Sequence, residues 1–131
     1  MLYRPFENRL NIQLSKHNLH RAQWTIVYYL ANFGSATLIE LANYQGVEKP
    51  TITRTINSLE ELGYVDHVPG KDKREKRMEL TESGSELYKT VRRTIDQYEK
   101  EILEGISEEE QQETIRIMGE IRNNILKRGD R

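Results

Sequence analysis

Residues 50–63 read Pro50-Thr51-Ile52-Thr53-Arg54-Thr55-Ile56-Asn57-Ser58-Leu59-Glu60-Glu61-Leu62-Gly63. Ile52, Ile56, Leu59 and Leu62 recur at helical spacing, so the stretch predicts a helix over 50–62 with one apolar face. The other face carries Thr51, Thr53, Arg54, Asn57 and Ser58: short hydroxyls, one guanidinium and one carboxamide. Pro50 suits the first turn, where its missing N–H is not needed, and Gly63 closes the helix.

Working outward, Leu38 to Tyr44 predicts a short helix with Leu38, Leu41 and Ala42 facing inward. Thr37 is its N-cap, and Glu40 stands where a capping box requires it. Gly46 breaks this helix, and Val47-Glu48-Lys49 leads into the next. Upstream lies a helix over 21–32, with Trp24, Val27, Tyr28 and Ala31 on one stripe and Gly34 at its end. Downstream the period falls to two. Tyr64-Val65-Asp66-His67-Val68-Pro69 alternates, GKDKREKR follows over 70–77, and Met78-Glu79-Leu80-Thr81 alternates again. Two short strands joined by a polar loop make a hairpin. The loop exceeds the usual length of about two to five residues, which points to a protruding ribbon.

Further out the helical period returns on both sides. Leu2, Phe6, Leu10 and Leu14 share one face of an N-terminal helix over about residues 5–16. Leu87, Val91, Ile95, Tyr98 and Ile102 form a stripe on a long helix beginning at Glu82. Gly105 interrupts it. Ser107 then caps a last helix whose apolar stripe is Ile115, Met118, Ile121 and Ile125. The reading divides the chain into an N-terminal helix (1–20), a central domain of helices and hairpin (21–83) and C-terminal helices (84–131), the terminal pieces being suited to dimerisation.

At 131 residues, 36% hydrophobic and 31% charged, the chain suits one modest core with dimerising arms. Cysteine is absent, which excludes disulfides, thiolate metal sites, cysteine nucleophiles and thiol switches. No run approaches the roughly 20 apolar residues of a membrane span. The N-terminus also lacks the apolar stretch of a secretory signal, so a cytoplasmic protein without membrane partners is expected. There is no P-loop, Gly-rich dinucleotide turn or Ser/His/Asp order, so neither an enzyme nor a cofactor is expected. His17 and His20 are followed only by His67 and lack the partners of a tetrahedral set, so no metal is expected.

The formal net charge is -1, but its distribution matters more than its sum. Lys71, Lys73, Arg74, Lys76 and Arg77 crowd the hairpin loop, whereas the acidic residues gather from Glu99 to Glu113. Helix, short helix, turn, helix and hairpin is the layout of a winged helix-turn-helix, a mainly α fold with a small β-hairpin. A helix face of hydroxyls with one arginine can approach base edges and phosphates closely. A basic ribbon beside it would reach the adjacent backbone or minor groove. The candidate DNA-contacting residues are Thr37, Lys49, Pro50, Thr51, Thr53, Arg54, Asn57, Lys71, Lys73, Arg74 and Arg77. The competing reading is a winged-helix protein-interaction module without DNA binding.

Across nearly its whole length the chain resembles the MarR family of bacterial transcriptional regulators. The resemblance rests on Gln23-Trp24, Glu40-Leu41-Ala42, Pro50-Thr51-Ile52-Thr53-Arg54 and Leu59-Glu60-Glu61-Leu62-Gly63-Tyr64-Val65. Asp72-Lys73-Arg74 supplies the family's Asp-x-Arg wing element, and Leu80-Thr81-Glu82-Ser83-Gly84 closes the domain. Glu48 departs from the pattern, standing where the family often has a small capping residue. The resemblance implies a homodimer with intertwined terminal helices, and the stripes outside the winged domain agree. Phe6, Leu10, Leu14, Ile115, Met118, Ile121 and Ile125 are the candidate interface. It further implies repression of a palindromic operator, with Arg74 in the minor groove and Asp72 bracing the wing. Release would come from a small aromatic or lipophilic effector bound near His20, Trp24 and Tyr28.

Overall fold

The computed structural model describes residues 3–69 and 76–129, with side chains described over 8–69 and 76–128. The order is α1 (Tyr3–Ser15), α2 (Arg21–Phe33), β1 (Ala36–Thr37), α3 (Leu38–Gln45), α4 (Lys49–Glu61), β2 (Val65–His67), β3 (Arg77–Leu80), α5 (Glu82–Ile102) and α6 (Glu108–Gly129). The chain forms two compact units, one extending to Tyr98 and the other starting at Glu99.

In the first unit the strands form an antiparallel sheet in the order β1-β3-β2. Val65 pairs with Leu80 and His67 with Met78, while Ala36 pairs with Met78 on the other edge of β3. The sequence pattern predicts the hairpin but not β1, because two residues are too few to show alternation. The sheet closes one end of a core made by Ile26, Val27 and Leu30 of α2, Leu41 and Ala42 of α3, and Ile52, Ile56 and Leu59 of α4. Ala36, Val65 and Met78 add the sheet's inward side chains.

Two stripes differ from the sequence reading. On α2 the buried residues are Gln23, Ile26, Val27 and Leu30, whereas Trp24 and Tyr28 are half-buried and Ala31 is exposed. The face is turned because Trp24 and Tyr28 point to α5, where both meet Tyr88. Leu62 is 50% exposed rather than buried, because α4 ends at Glu61 and Leu62 is only its cap.

The turn between α3 and α4 depends on Gly46, whose φ of 72° and ψ of 34° are left-handed. Its N–H and that of Val47 both donate to the Ala42 carbonyl, at 2.9 and 3.0 Å, which reverses the chain within a few residues. At the other end of α4 the chain turns through Gly63 into β2. The Thr81 hydroxyl donates to the Gly63 carbonyl at 2.6 Å and accepts the Gly84 N–H at 3.0 Å. This docks the first turn of α5 on the end of the helix-turn-helix.

A second cluster joins Leu14 and Leu19 to Val91 and Ile95 of α5, with Leu10, Leu87 and Trp24 packed against it. Trp24 touches both clusters, so one indole ties the N-terminal helix to the winged core. In the second unit, Ser107 caps α6 as its position predicts. Its hydroxyl accepts the Glu110 N–H at 3.1 Å, and the Glu110 carboxylate accepts the Ser107 N–H at 3.0 Å. That backbone hydrogen bond, with the Ser107 hydroxyl, holds the Glu110 carboxyl below its ordinary value. No described helix is long and apolar enough to cross a membrane.

Candidate nucleic-acid interface

Burial of Ile52, Ile56 and Leu59 fixes the rotation of α4, leaving Lys49, Pro50, Thr51, Arg54 and Asn57 exposed and Thr53 half-exposed. The outward face is therefore the one the spacing predicts, apart from Ser58. That hydroxyl accepts from Gln23 Nε2 at 3.1 Å and donates to the Thr55 carbonyl at 2.7 Å, so it braces α2 against α4.

Each exposed group keeps a defined chemical capacity. The Thr53 hydroxyl donates to the Lys49 carbonyl at 2.8 Å, which spends its proton and leaves its oxygen to accept and its methyl to make apolar contact. Arg54 is exposed, with no ion-pair partner among the described residues. Its guanidinium keeps the donor fork that suits a guanine edge or a phosphate. The helix N-terminus offers less than the sequence suggests. Pro50 has no N–H, and Thr51 and Ile52 both donate to the Glu48 carbonyl, at 3.1 and 3.2 Å. Glu48 makes no side-chain cap.

The first turn of α4 is one wall of a groove of about 640 Å³, lined by Thr37, Leu38, Ile39, Glu40, Lys49, Thr53 and Lys76. The fold thus brings Thr37, at the cap of α3, together with Lys49 and Thr53 of α4. Lys76, absent from the sequence-derived set, joins them; its place in a mixed charge run hides that it lies at the root of β3. Thr37 is already engaged there as a cap, accepting the Glu40 N–H and donating to Glu40 Oε1, both at 3.1 Å. A smaller hollow unites Lys49, Pro50, Thr53 and Arg54.

The wing expectations divide. Lys71, Lys73 and Arg74 lie outside the described residues, as does Asp72. Arg77 is described, and in the chain alone its guanidinium is engaged within its own domain. Its Nη2 donates to the Ser35 carbonyl at 2.9 Å, its Nε to the Ser35 hydroxyl at 3.3 Å, and its Nη1 to Glu40 Oε1 at 3.5 Å. The guanidinium turns back onto its own domain because β1, which the sequence reading lacks, sets Thr37 beside it in the sheet.

Of the three residues expected at an effector site, Trp24 and Tyr28 are in ring contact, and His20 precedes them at the start of α2. Trp24 stacks on Tyr88 with ring centres 5.6 Å apart and planes 11° apart, and Tyr28 is tilted against both. Tyr88, missed because it flanks the α5 stripe, completes this trio and accepts from Asn32 Nδ2 at 3.1 Å. Beside it opens a cleft of about 450 Å³ between the end of α2, β3 and the start of α5. His20 is exposed at the N-cap of α2, its backbone N–H bonded to Gln23 Oε1 at 3.1 Å.

Of the expected interface residues, Leu14 is corrected. It is fully buried within its own chain against Leu19, Val91 and Ile95, and has no surface to offer a partner. Leu10 is half-buried beside it, and the Phe6 side chain lies outside the described residues. Ile115, Met118, Ile121 and Ile125 of α6 are all exposed.

Residues 17–75 match the MarR family. The chain is 36% identical over 109 residues to YwoH, an uncharacterised helix-turn-helix-type transcriptional regulator of Bacillus subtilis, covering 83% of this chain and 80% of that one. It is similar to Staphylococcus aureus MarR, solved in complex with salicylate and kanamycin. That match has a TM-score of 0.86 and 33% identity over 96% of this chain and 86% of the other. A mutant of Escherichia coli MarR complexed with operator DNA shares the fold, with a TM-score of 0.77 and 21% identity over 88% and 84% of the two chains.

Proposed function

The chain belongs to the MarR family of transcriptional regulators, and from that membership we propose that it is a homodimer that binds a palindromic operator in double-stranded DNA. The observation that carries the proposal is the two-sidedness of α4. Its apolar residues are fully committed to the core, while Lys49, Thr51, Arg54 and Asn57 stand in solvent with Thr53 at their edge. In this reading α4 enters the major groove, with Arg54 on a base or the adjacent phosphate and Thr51, Thr53 and Asn57 beside it. Thr37, Lys49 and Pro50 border the backbone. Lys71 and Lys73 of the wing contact phosphates, while Arg74 enters the minor groove, where A·T tracts strengthen the negative potential.

What supports the assembly is α6. Ile115, Met118, Ile121 and Ile125 are 63%, 65%, 52% and 64% exposed, an apolar stripe left in contact with water. A second copy of the chain covers it and sets the two α4 helices about 34–36 Å apart, one turn of the duplex. The domain scheme is accordingly a winged domain over 21–83 carried by dimerisation arms over 1–20 and 84–131. Regulation is by repression, relieved when a small aromatic or lipophilic compound binds near Trp24 and Tyr28 with His20 at its margin. Such a ligand acts by preferring the conformation whose helix spacing misfits DNA. The S. aureus MarR complex with salicylate supports this ligand class. As a regulator the chain needs no catalytic centre and no cofactor, and its place is the cytoplasm, with the DNA.

The test is a gel shift with duplex DNA over a range of salt. Binding should weaken steeply with salt, by about 0.9 in log–log slope for each phosphate contacted. No shift on any duplex, or a flat salt response, would contradict the proposal.

A further inference from the structure

One side chain ties the root of the wing to the cap of α3. Arg77 is the first residue of the central strand β3 and lies opposite Thr37 in the register. Three of its nitrogens donate to two places: Nη2 and Nε to the carbonyl and hydroxyl of Ser35, and Nη1 to Glu40 Oε1. The same Glu40 oxygen accepts from the Thr37 hydroxyl at 3.1 Å and the Thr37 N–H at 3.4 Å, closing the N-terminal cap of α3. On its other side the Arg77 carbonyl accepts the Val68 N–H at 2.9 Å, where the chain leaves β2. One residue therefore joins both strands of the wing to the cap of the first helix of the helix-turn-helix.

From this geometry we infer that Arg77 is a positioning residue, which clamps β3, and through it the end of β2, to Ser35 and Glu40 and so fixes the base from which the wing is presented to DNA. The inference rests on the DNA-binding reading for its consequence, but the clamp is a property of the free chain. A planar fork with separate donors is needed to reach a carbonyl, a hydroxyl and a carboxylate at once; an ammonium on a flexible stem cannot reproduce it. The pairing also neutralises Glu40, a carboxylate that lines the groove shared with Lys49, Thr53 and Lys76. Left alone, that charge would oppose a polyanion. A phosphate contact makes a weaker demand, because lysine also serves a phosphate, as a point charge, and it leaves the free chain's amide exchange untouched.

Arg77→Lys separates the two roles, since it keeps the charge and loses the fork. Binding is measured on two duplexes with the same core site, one with A·T-rich and one with G·C-rich flanks. Amide exchange at Val68 is followed in the free protein. A clamp predicts faster exchange at Val68, an affinity loss of about three- to tenfold on A·T-rich flanks and a smaller loss on G·C-rich flanks. Wild-type affinity and wild-type exchange would overturn it in favour of a simple cation, and equal loss on both duplexes would reduce Arg77 to general stability. Should wild-type protein shift no duplex, the DNA-binding reading falls, and exchange at Val68 alone decides for or against the clamp. If Arg77→Lys does not fold, Ser35→Ala removes only the Nε acceptor and should change the same readouts in the same direction by less.

Discussion

The buried carboxamide of Gln23 on α2 donates through Nε2 to the Ser58 hydroxyl on α4 at 3.1 Å, while its oxygen accepts the His20 N–H at the same distance. Gln23 is only 6% exposed, so this pair braces α4 against α2 from inside the domain. Gln23→Leu leaves the Ser58 hydroxyl without its donor and the His20 amide without its acceptor. The expected cost is about 1–3 kcal/mol in a urea melt. An unchanged midpoint would show that the bond does not brace α4.

Gly84 lies against the backbone of Tyr64, and a Cβ there would collide with the Tyr64 carbonyl and press on Leu80. A carbonyl within a paired turn cannot give way as a flexible side chain does. Gly84→Ala should therefore cost about 3 kcal/mol, as overpacking against fixed atoms does. Calorimetry checks this. A melting temperature within a degree of wild type would contradict the docking of α5 described above.

Arg54 is exposed and makes no contact the fold depends on, so Arg54→Ala should leave the melting temperature unchanged. Operator affinity should fall by about 1–3 kcal/mol if the guanidinium reads a base. A loss that is uniform across sequences would assign it to a phosphate. No loss at all would remove it from the interface.

The fold was legible where a helix is two-sided. α4, the cap of α3 by Thr37 and Glu40, the break at Gly46 and the Ser107 cap all follow from spacing and residue type. What escaped was set by pairing across the chain. β1 has no period of its own, and the turned face of α2 depends on Tyr88, remote in sequence. Arg77 reads as one more cation in a basic run until β1 places Ser35 and Glu40 beside it. Leu14 has the right spacing for an interface, yet Val91 and Ile95 have already covered it.

Ile121 stands at the middle of the exposed stripe of α6. In the proposed dimer Ile121→Glu places an uncompensated carboxylate in an apolar contact. Light scattering should then give the 15.5 kDa of one chain, where wild type gives twice that mass. Operator binding should weaken along with assembly. A wild-type monomer, or a variant that still dimerises, would exclude this face.

The central claim is that two copies of α4 read one duplex together. Selection of bound duplexes from a random pool, followed by sequencing, tests it most directly. The account predicts inverted half-sites centred one helical turn apart, about 10–10.5 base pairs. Enrichment of a single asymmetric half-site, or no enrichment over the starting pool, would contradict it.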